Sequence, residues 1–285
     1  MAHSHSKKKS VIKPVLYAFL SFALAFMLFL LSICLVARIT LFSQDFMLTA
    51  MAECDYYSMI KDELRTQLKN LGHASGLNDD FVDTYVESLD IRQIETEYIS
   101  AFYSGESTLV ETNEFKQTFK AAIDQYIEDN NIDKSKANEN NIIFLVDEAA
   151  GIYVDCISIP FFSVIANYFY KLSTPLNIAA VALFVFSLAV AAIIFFTNEF
   201  KHRRYRYLCY ACTTSFISVT VIPLVVFISK YIEKINLGTR SLYNLFVTYF
   251  TSLFKDFWVF SGVFLFLSIL TFVLYYRAYN KAVNG

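Results

Sequence analysis

The stretch Leu176–Thr197, LNIAAVALFVFSLAVAAIIFFT, contains 22 residues and not one charged side chain. At about 1.5 Å of rise per residue, a helix of this length crosses the ~30 Å hydrocarbon layer of a bilayer. Three runs of similar length and composition occur at Val15–Ala37, Leu208–Ile228 and Phe257–Tyr275. Because a backbone in lipid must satisfy its own hydrogen bonds, all four runs are predicted to be transmembrane helices.

Acidic and basic residues are divided unevenly between the segment Ser43–Thr174 and the rest of the chain. Ser43–Thr174 has nine Lys and Arg against twenty-three Asp and Glu, whereas the remainder has fifteen basic residues against three acidic ones. Basic residues are retained on the cytoplasmic side of membranes, so both termini and the link after the second span are predicted to be cytoplasmic. The acidic segment is then extracytoplasmic.

These two patterns divide the chain into nine consecutive segments. They are a cytoplasmic tail (1–12), a first span (13–42), an extracytoplasmic all-α domain (43–174), a second span (175–199), a cytoplasmic basic link (200–206), a third span (207–229), an extracytoplasmic connection with an amphipathic aromatic helix (230–256), a fourth span (257–277) and a cytoplasmic tail (278–285).

The fold class predicted for the whole chain is all-α, with a helical bundle inserted between the first and second spans. Apolar residues recur at helical spacing in five segments of 43–174, and 132 residues are enough to bury a core. Asn78 and Asp90 are predicted to begin two of these helices, and Gly72 and Gly105 to end two. Pro160 is predicted to kink the last one.

Two cysteines are predicted to form a disulfide in this domain. Cys54 follows the first span and Cys156 precedes the second, at similar distances from the membrane boundary if two antiparallel helices continue the spans outward. An oxidising exterior would preserve such a bond. The alternative is two buried thiols on separate faces.

The third span carries a run of small hydroxyl side chains, including Thr214, Ser215 and Ser218. Such residues hydrogen-bond to their own or a neighbouring helix, so the run predicts a helix-packing face, with a pore lining as the sharper alternative. Mid-membrane ionisable residues of the kind that coupled transporters use are absent from the four runs.

The basic link is predicted to contact anionic lipid headgroups through Lys201, Arg203, Arg204 and Arg206. Six residues that join two spans are too few for a nucleic-acid site, so no nucleic-acid partner is expected. Neither a catalytic set nor a cofactor or metal site is predicted from the motifs.

In its topology alone, the chain is similar to ABC-transporter permeases that have four spans and a large domain between the first two. Their longer cytoplasmic segments, which engage an ATPase, have no counterpart here. The sequence favours a non-enzymatic protein of the plasma membrane whose outward domain binds, senses or scaffolds a protein partner or a second copy of itself. A channel or transporter subunit is the alternative, and the lack of Asn-x-Ser/Thr sites favours a bacterial source.

Overall fold

A computed structural model of the protein describes residues 3–106, 109–132, 139–160, 162–235 and 237–283. Side chains are described from Lys13 onward, except for that of Ser163. Within these ranges the chain is helical and contains no strand, which confirms the predicted all-α class. The helices are α1 (His3–Ile39), α2 (Gln44–Glu53), α3 (Tyr56–Ser75), α4 (Asp79–Ser88), α5 (Ile91–Ser104), α6 (Asn113–Asp129), α7 (Glu139–Ile157), α8 (Phe162–Thr197), α9 (Lys201–Ser229) and α10 (Arg240–Val283).

Four stretches are long and apolar enough to cross a bilayer, and each contains one of the four predicted runs. They are Lys13–Ile39, Val164–Thr197, Lys201–Lys234 and Arg240–Val283. This arrangement is compatible with a multi-pass membrane protein. The last stretch is one continuous helix, so the aromatic segment Ser241–Trp258 extends the fourth span and is not a separate surface helix.

The chain folds as two compact units. The first, here called the membrane unit, comprises Met1–Phe42, Leu172–Ile235 and Phe250–Gly285. The second, here called the acidic unit, comprises Ser43–Lys171 and Asn236–Tyr249.

In the membrane unit, α1 packs closely against α9. The Ser21 hydroxyl donates to the Tyr207 carbonyl over 2.7 Å, and the Ser215 hydroxyl donates to the Ala25 carbonyl over 3.2 Å. Residue numbers rise together along both helices, so α1 and α9 run parallel. Ala25 and Ala211 are buried between them, and their small side chains permit the close approach.

Two pairs of side-chain hydroxyls join α9 to α10, and these two helices run in opposite directions. Thr213 pairs with Ser268 at 2.6 Å and Thr220 pairs with Ser261 at 2.5 Å, so these two helices run antiparallel. The start of α1 also lies beside the end of α8, where Lys13 forms a 3.1 Å ion pair with Glu199. The starts of α1 and α9 and the ends of α8 and α10 therefore share one end of the membrane unit.

Each of the helices α2–α7 contributes one stripe of apolar side chains to the core of the acidic unit. In α3 the stripe consists of Tyr56, Ile60, Leu64 and Leu68, and it packs against α4 and α7. Asn78 caps α4 by accepting from the Phe81 amide, and Asp90 caps α5 by accepting from the Gln93 amide, as their positions predicted.

Several local predictions require correction. Gly72 does not end α3; it is buried inside the helix, whose C-cap is Gly76 with a φ of +80°. Pro160 falls in the gap between α7 and α8 and kinks neither, and Pro175 lies inside α8. α2 was not among the five predicted helices.

The connection Asn236–Tyr249 belongs to the acidic unit through specific polar contacts. Glu63 of α3 accepts from both the amide and the hydroxyl of Ser241, over 3.1 and 2.8 Å. A carboxylate at a helix N-terminus satisfies otherwise unpaired amides, so Glu63 stabilises the first turn of α10. Tyr249, nine residues after the start of α10, packs edge-on against Phe46 of α2 with 5.2 Å between ring centroids.

Candidate functional site

A cleft of about 500 Å³ opens in the acidic unit between the end of α4, one face of α5, the start of α6 and the end of α7. Four helices contribute to it because their apolar stripes converge on one core and leave a gap near the α6 N-terminus. Leu109 and Val110, which precede α6, form part of one wall. The cleft lies entirely within the acidic unit.

The floor of the cleft is aromatic and buried. Phe115 and Tyr153 stack with 4.4 Å between ring centroids and an interplanar angle of 18°, and Tyr85 meets Phe115 edge-on at 5.8 Å. The Tyr85 hydroxyl lies 2.9 Å from the Thr118 hydroxyl, and Tyr98 uses its hydroxyl to bind the backbone of Ile159.

Tyr153 differs from the other two floor tyrosines because its hydroxyl makes no hydrogen bond to a described residue. Its side chain is only 5% exposed and lines the cleft. Burial, with further contributions from Glu95, Tyr85 and Glu114, raises the pKa of Tyr153 to about 12. The phenol therefore remains neutral and offers a hydroxyl donor toward the cleft.

The rim of the cleft carries four exposed carboxylates. They are Asp90, Glu97, Glu111 and Glu114, and none forms an ion pair with a residue that the structure describes. An aromatic floor under several unneutralised carboxylates suits a ligand that has a cationic group and an apolar body.

The rim contrasts with the other acidic surface of the same unit. On α4, Asp79, Asp83 and Glu87 pair with basic residues of α3 along one side; the α3 partners are Lys61, Arg65, Lys69 and His73. The hydrogen bond from Lys61 lowers the pKa of Glu87 below its ordinary value. Acidic residues of this unit that pack beside a basic helix are thus neutralised, whereas the four rim carboxylates are not.

Behind the floor, α5 buries a carboxyl group in the core. Glu95 is 0% exposed, and neither of its side-chain oxygens has a hydrogen-bond partner among the described residues. The Tyr56 hydroxyl of α3 is buried nearby and equally unpartnered. Burial raises the pKa of Glu95 well above its usual range, because an ionised carboxylate loses its hydration there.

Sequence reasoning missed Glu95, since a Glu on a helix is ordinarily assigned to the solvent face. The apolar Ile94 beside it lies half-exposed on the cleft wall. A signal was present: position 95 lies four residues after Ile91 and three before Tyr98, which is the helical spacing of the stripe.

The predicted Cys54–Cys156 disulfide is not supported, because all five cysteines are free thiols in this structure. Cys54 lies just before α3, whereas the Cys156 sulfur accepts from Gln67 over 3.5 Å. Tyr56 and Gln67 are separated by about 16 Å of helix, far beyond the reach of a disulfide. Burial raises the pKa of Cys156 to about 12, so its thiol is unreactive as well as unpaired.

The hydroxyl residues predicted for the third span occupy different environments. Ser215 is fully buried and donates to the Ala25 carbonyl of α1, whereas Thr214 is exposed and Ser218 half-exposed on α9. The two remaining hydroxyls that bridge helices, Thr213 and Thr220, face α10. Helix packing accounts for Ser215.

The four residues predicted to contact lipid headgroups fall into two groups. The three arginines make contacts within the protein, whereas Lys201 makes no described polar contact. Arg204 donates to the Asn198 carbonyl over 2.8 Å, and Arg206 donates to the Tyr207 hydroxyl over 3.2 Å. The Arg203 guanidinium lies 4.9 Å from the centroid of the Phe200 ring. Lys201 is exposed and makes no described polar contact.

No protein-family model, curated protein or solved structure matches this chain. The four apolar helices define a class, that of proteins compatible with a multi-pass membrane topology. The geometry of the cleft and of the membrane unit is therefore the basis of the proposed function.

Glu95→Gln is expected to stabilise the protein increasingly as the pH rises. An unfolded Glu ionises near pH 4.5, whereas buried Glu95 stays protonated, so the wild type loses stability from about pH 4.5 up to the raised pKa. Over that window the advantage of the amide grows by up to about 1.4 kcal/mol per pH unit. The measurement is the thermal midpoint of the full chain in mild detergent from pH 4.5 to 8.

The ionisable groups that face Glu95 from the packed helices are Tyr56 and Tyr57 on α3, Tyr98 on α5, and Tyr153 and Cys156 on α7. All have pKa values raised above their ordinary ones, so they contribute no competing titration in this window. Glu148→Gln, on the exposed side of α7, is the control. An advantage of Glu95→Gln that does not change with pH would contradict the assignment.

Ser215→Ala is expected to weaken the membrane unit, because it removes the hydrogen bond to the Ala25 carbonyl. Interhelical hydrogen bonds in membranes are worth about 0.6–2 kcal/mol, so a drop of a few degrees in the thermal midpoint follows. Thr214→Val, one residue away and exposed, is the matched control and should change the midpoint little. Equal effects at both positions would contradict the packing role of Ser215.

Proposed function

We propose that this chain is a non-enzymatic membrane protein whose acidic unit, outside the cytoplasm, binds a ligand or partner through a cationic group. The observation that supports this proposal is the cleft with a buried aromatic floor and four carboxylates that lack a described cationic partner. The cationic group belongs to an amine or to a basic side chain of a protein partner. The plasma membrane of a bacterial cell is the proposed location.

The proposed orientation rests on the charges at the shared helix end of the membrane unit. Lys13 of α1, the basic start of α9 and the basic end of α10 all lie there. Basic residues favour the cytoplasmic face, so this end is proposed to face the cytoplasm. The acidic segment follows the other end of α1 in the chain, which supports an extracytoplasmic position for it.

The chemistry of the cleft favours binding over catalysis. Tyr153 and Tyr85 have pKa values raised to about 12 by burial, so neither phenol serves as a base at neutral pH. A cationic ligand would instead gain from the negative potential of the rim and from its contact with the aromatic faces.

The second candidate function, a subunit of an oligomeric channel or transporter, would have to use the exposed side of α9. Thr214 and Ser218 remain available there, whereas Thr213, Ser215 and Thr220 are engaged in contacts with neighbouring helices. Three of the five hydroxyls in this stretch thus support packing. Ion flux through reconstituted liposomes would favour the channel.

The cleft is tested with 2-phenylethylamine, which is cationic at neutral pH, and with 2-phenylethanol, its neutral counterpart of the same shape. Calorimetric titration of the full chain is expected to detect the amine and not the alcohol. Glu97→Gln combined with Glu114→Gln should weaken amine binding by about tenfold, since each exposed carboxylate contributes on the order of 0.5–1 kcal/mol. Raising the salt concentration should weaken binding to the wild type.

The matched control is Asp124→Asn combined with Glu148→Gln, which removes the same charge from exposed positions of α6 and α7 outside the cleft. It should leave the affinity unchanged. Equal binding of the alcohol and the amine, or an equal loss in both double variants, would overturn the proposed site.

A further inference from the structure

The basic end of the membrane unit contains a second cavity, unrelated to the cleft of the acidic unit. It is a groove of about 660 Å³ between the start of α9 and the end of α10. The His202 and Tyr279 rings, 6.1 Å apart between centroids, also join these two helix ends. The parts of α9 and α10 that line the groove both belong to the membrane unit.

Three cations line this groove. They are Lys201 at the start of α9 and Arg277 and Lys281 at the end of α10. All three are exposed, and none forms an ion pair with a described residue. No carboxylate is among the described residues that line the groove.

The three arginines of the basic link are not among the residues that line the groove, and they make contacts within the protein instead. Arg203 stacks on Phe200, Arg204 donates to the Asn198 carbonyl, and Arg206 lies over the Tyr207 ring with 5.0 Å to its centroid. The contacts of Arg203 and Arg204 stabilise the turn between α8 and α9, whereas Arg206 contacts its neighbour on α9. Among the basic link residues, only Lys201 lines the groove.

The remaining wall of the groove is apolar. Phe272 and Val273, which lie one helical turn before Arg277, are exposed within the fourth apolar stretch. Tyr205 and Tyr276 stand between the apolar wall and the cations. Tyrosines concentrate at the depth of the headgroups in membrane proteins, where an apolar ring and a polar hydroxyl are both satisfied. The groove thus changes from apolar to cationic along its length.

We infer that this groove binds an anionic phospholipid, with the headgroup phosphate between Lys201, Arg277 and Lys281 and an acyl chain along Phe272 and Val273. The arrangement of charge matches the phosphate, and the apolar wall matches the chain to which that phosphate is attached. A freely soluble phosphate would gain nothing from the apolar wall. Basic pockets between transmembrane helices recognise acidic headgroups in this way.

The test uses the full delipidated chain and native mass spectrometry with phosphatidylglycerol or phosphatidylcholine. Wild type is expected to retain phosphatidylglycerol at least tenfold better than phosphatidylcholine. The triple variant Lys201→Gln, Arg277→Gln, Lys281→Gln should lose that preference. The matched control is Lys230→Gln, Lys234→Gln, Lys255→Gln, which removes the same charge near the opposite end of the membrane unit and should retain the preference.

Inorganic phosphate and glycerol 3-phosphate serve as competitors that carry the headgroup chemistry without the chains. Neither is expected to displace the lipid at millimolar concentration; displacement would assign the groove to a soluble phosphate and overturn the inference. Equal retention of the two lipids by wild type, or an equal loss in the two triple variants, would overturn it as well.

A second measurement uses wild type alone and does not depend on a variant that folds. In phosphatidylglycerol nanodiscs, acetylation of the Lys201 and Lys281 amines should be slowed several-fold relative to phosphatidylcholine nanodiscs. Acetylation of Lys230 and Lys255 reports the general effect of the charged bilayer. Equal slowing at all four lysines would show a non-specific surface effect and would contradict a defined site.

Discussion

The parallel contact between α1 and α9 is the constraint on which the arrangement of the membrane unit depends. Ala25 and Ala211 bring the two backbones close, and Ser21 and Ser215 each donate to a carbonyl of the other helix. Since lipid offers no competing hydrogen bonds, these contacts help to fix which helix ends lie together. The clustering of the basic residues at one end, and the orientation proposed from it, both follow from this contact.

Some charged residues pair within the protein, whereas others remain available to the proposed ligands. The charged groups of the α3–α4 ion pairs have their partners within the protein, and so does Arg204, which donates to a carbonyl after α8. The rim carboxylates of the cleft and the cations of the proposed lipid groove form no ion pair with a described residue. Two sites of opposite charge thus lie in separate compact units, and each is open to a ligand of the complementary sign.

Local sequence signals predicted much of the helical structure but not the sites. Asn78, Asp90 and Gly105 have side-chain or backbone preferences that act over three or four residues, so their positions predicted the helix ends. Gly72 and Glu95 were misassigned because contacts with other helices decided their burial. The cleft combines α4, α5, α6 and α7, and no local pattern indicates how the stripes of four helices converge.

The central proposal is that the acidic segment is extracytoplasmic and that the C-terminal end of α10 is cytoplasmic. Labelling of single introduced cysteines with a membrane-impermeant maleimide tests it most directly, with the unmodified chain as the control for its own thiols. Glu148→Cys on α7 should react in intact cells or spheroplasts, whereas Val283→Cys at the end of α10 should react only after permeabilisation. The reverse pattern, or equal labelling of both before permeabilisation, would contradict the proposed topology.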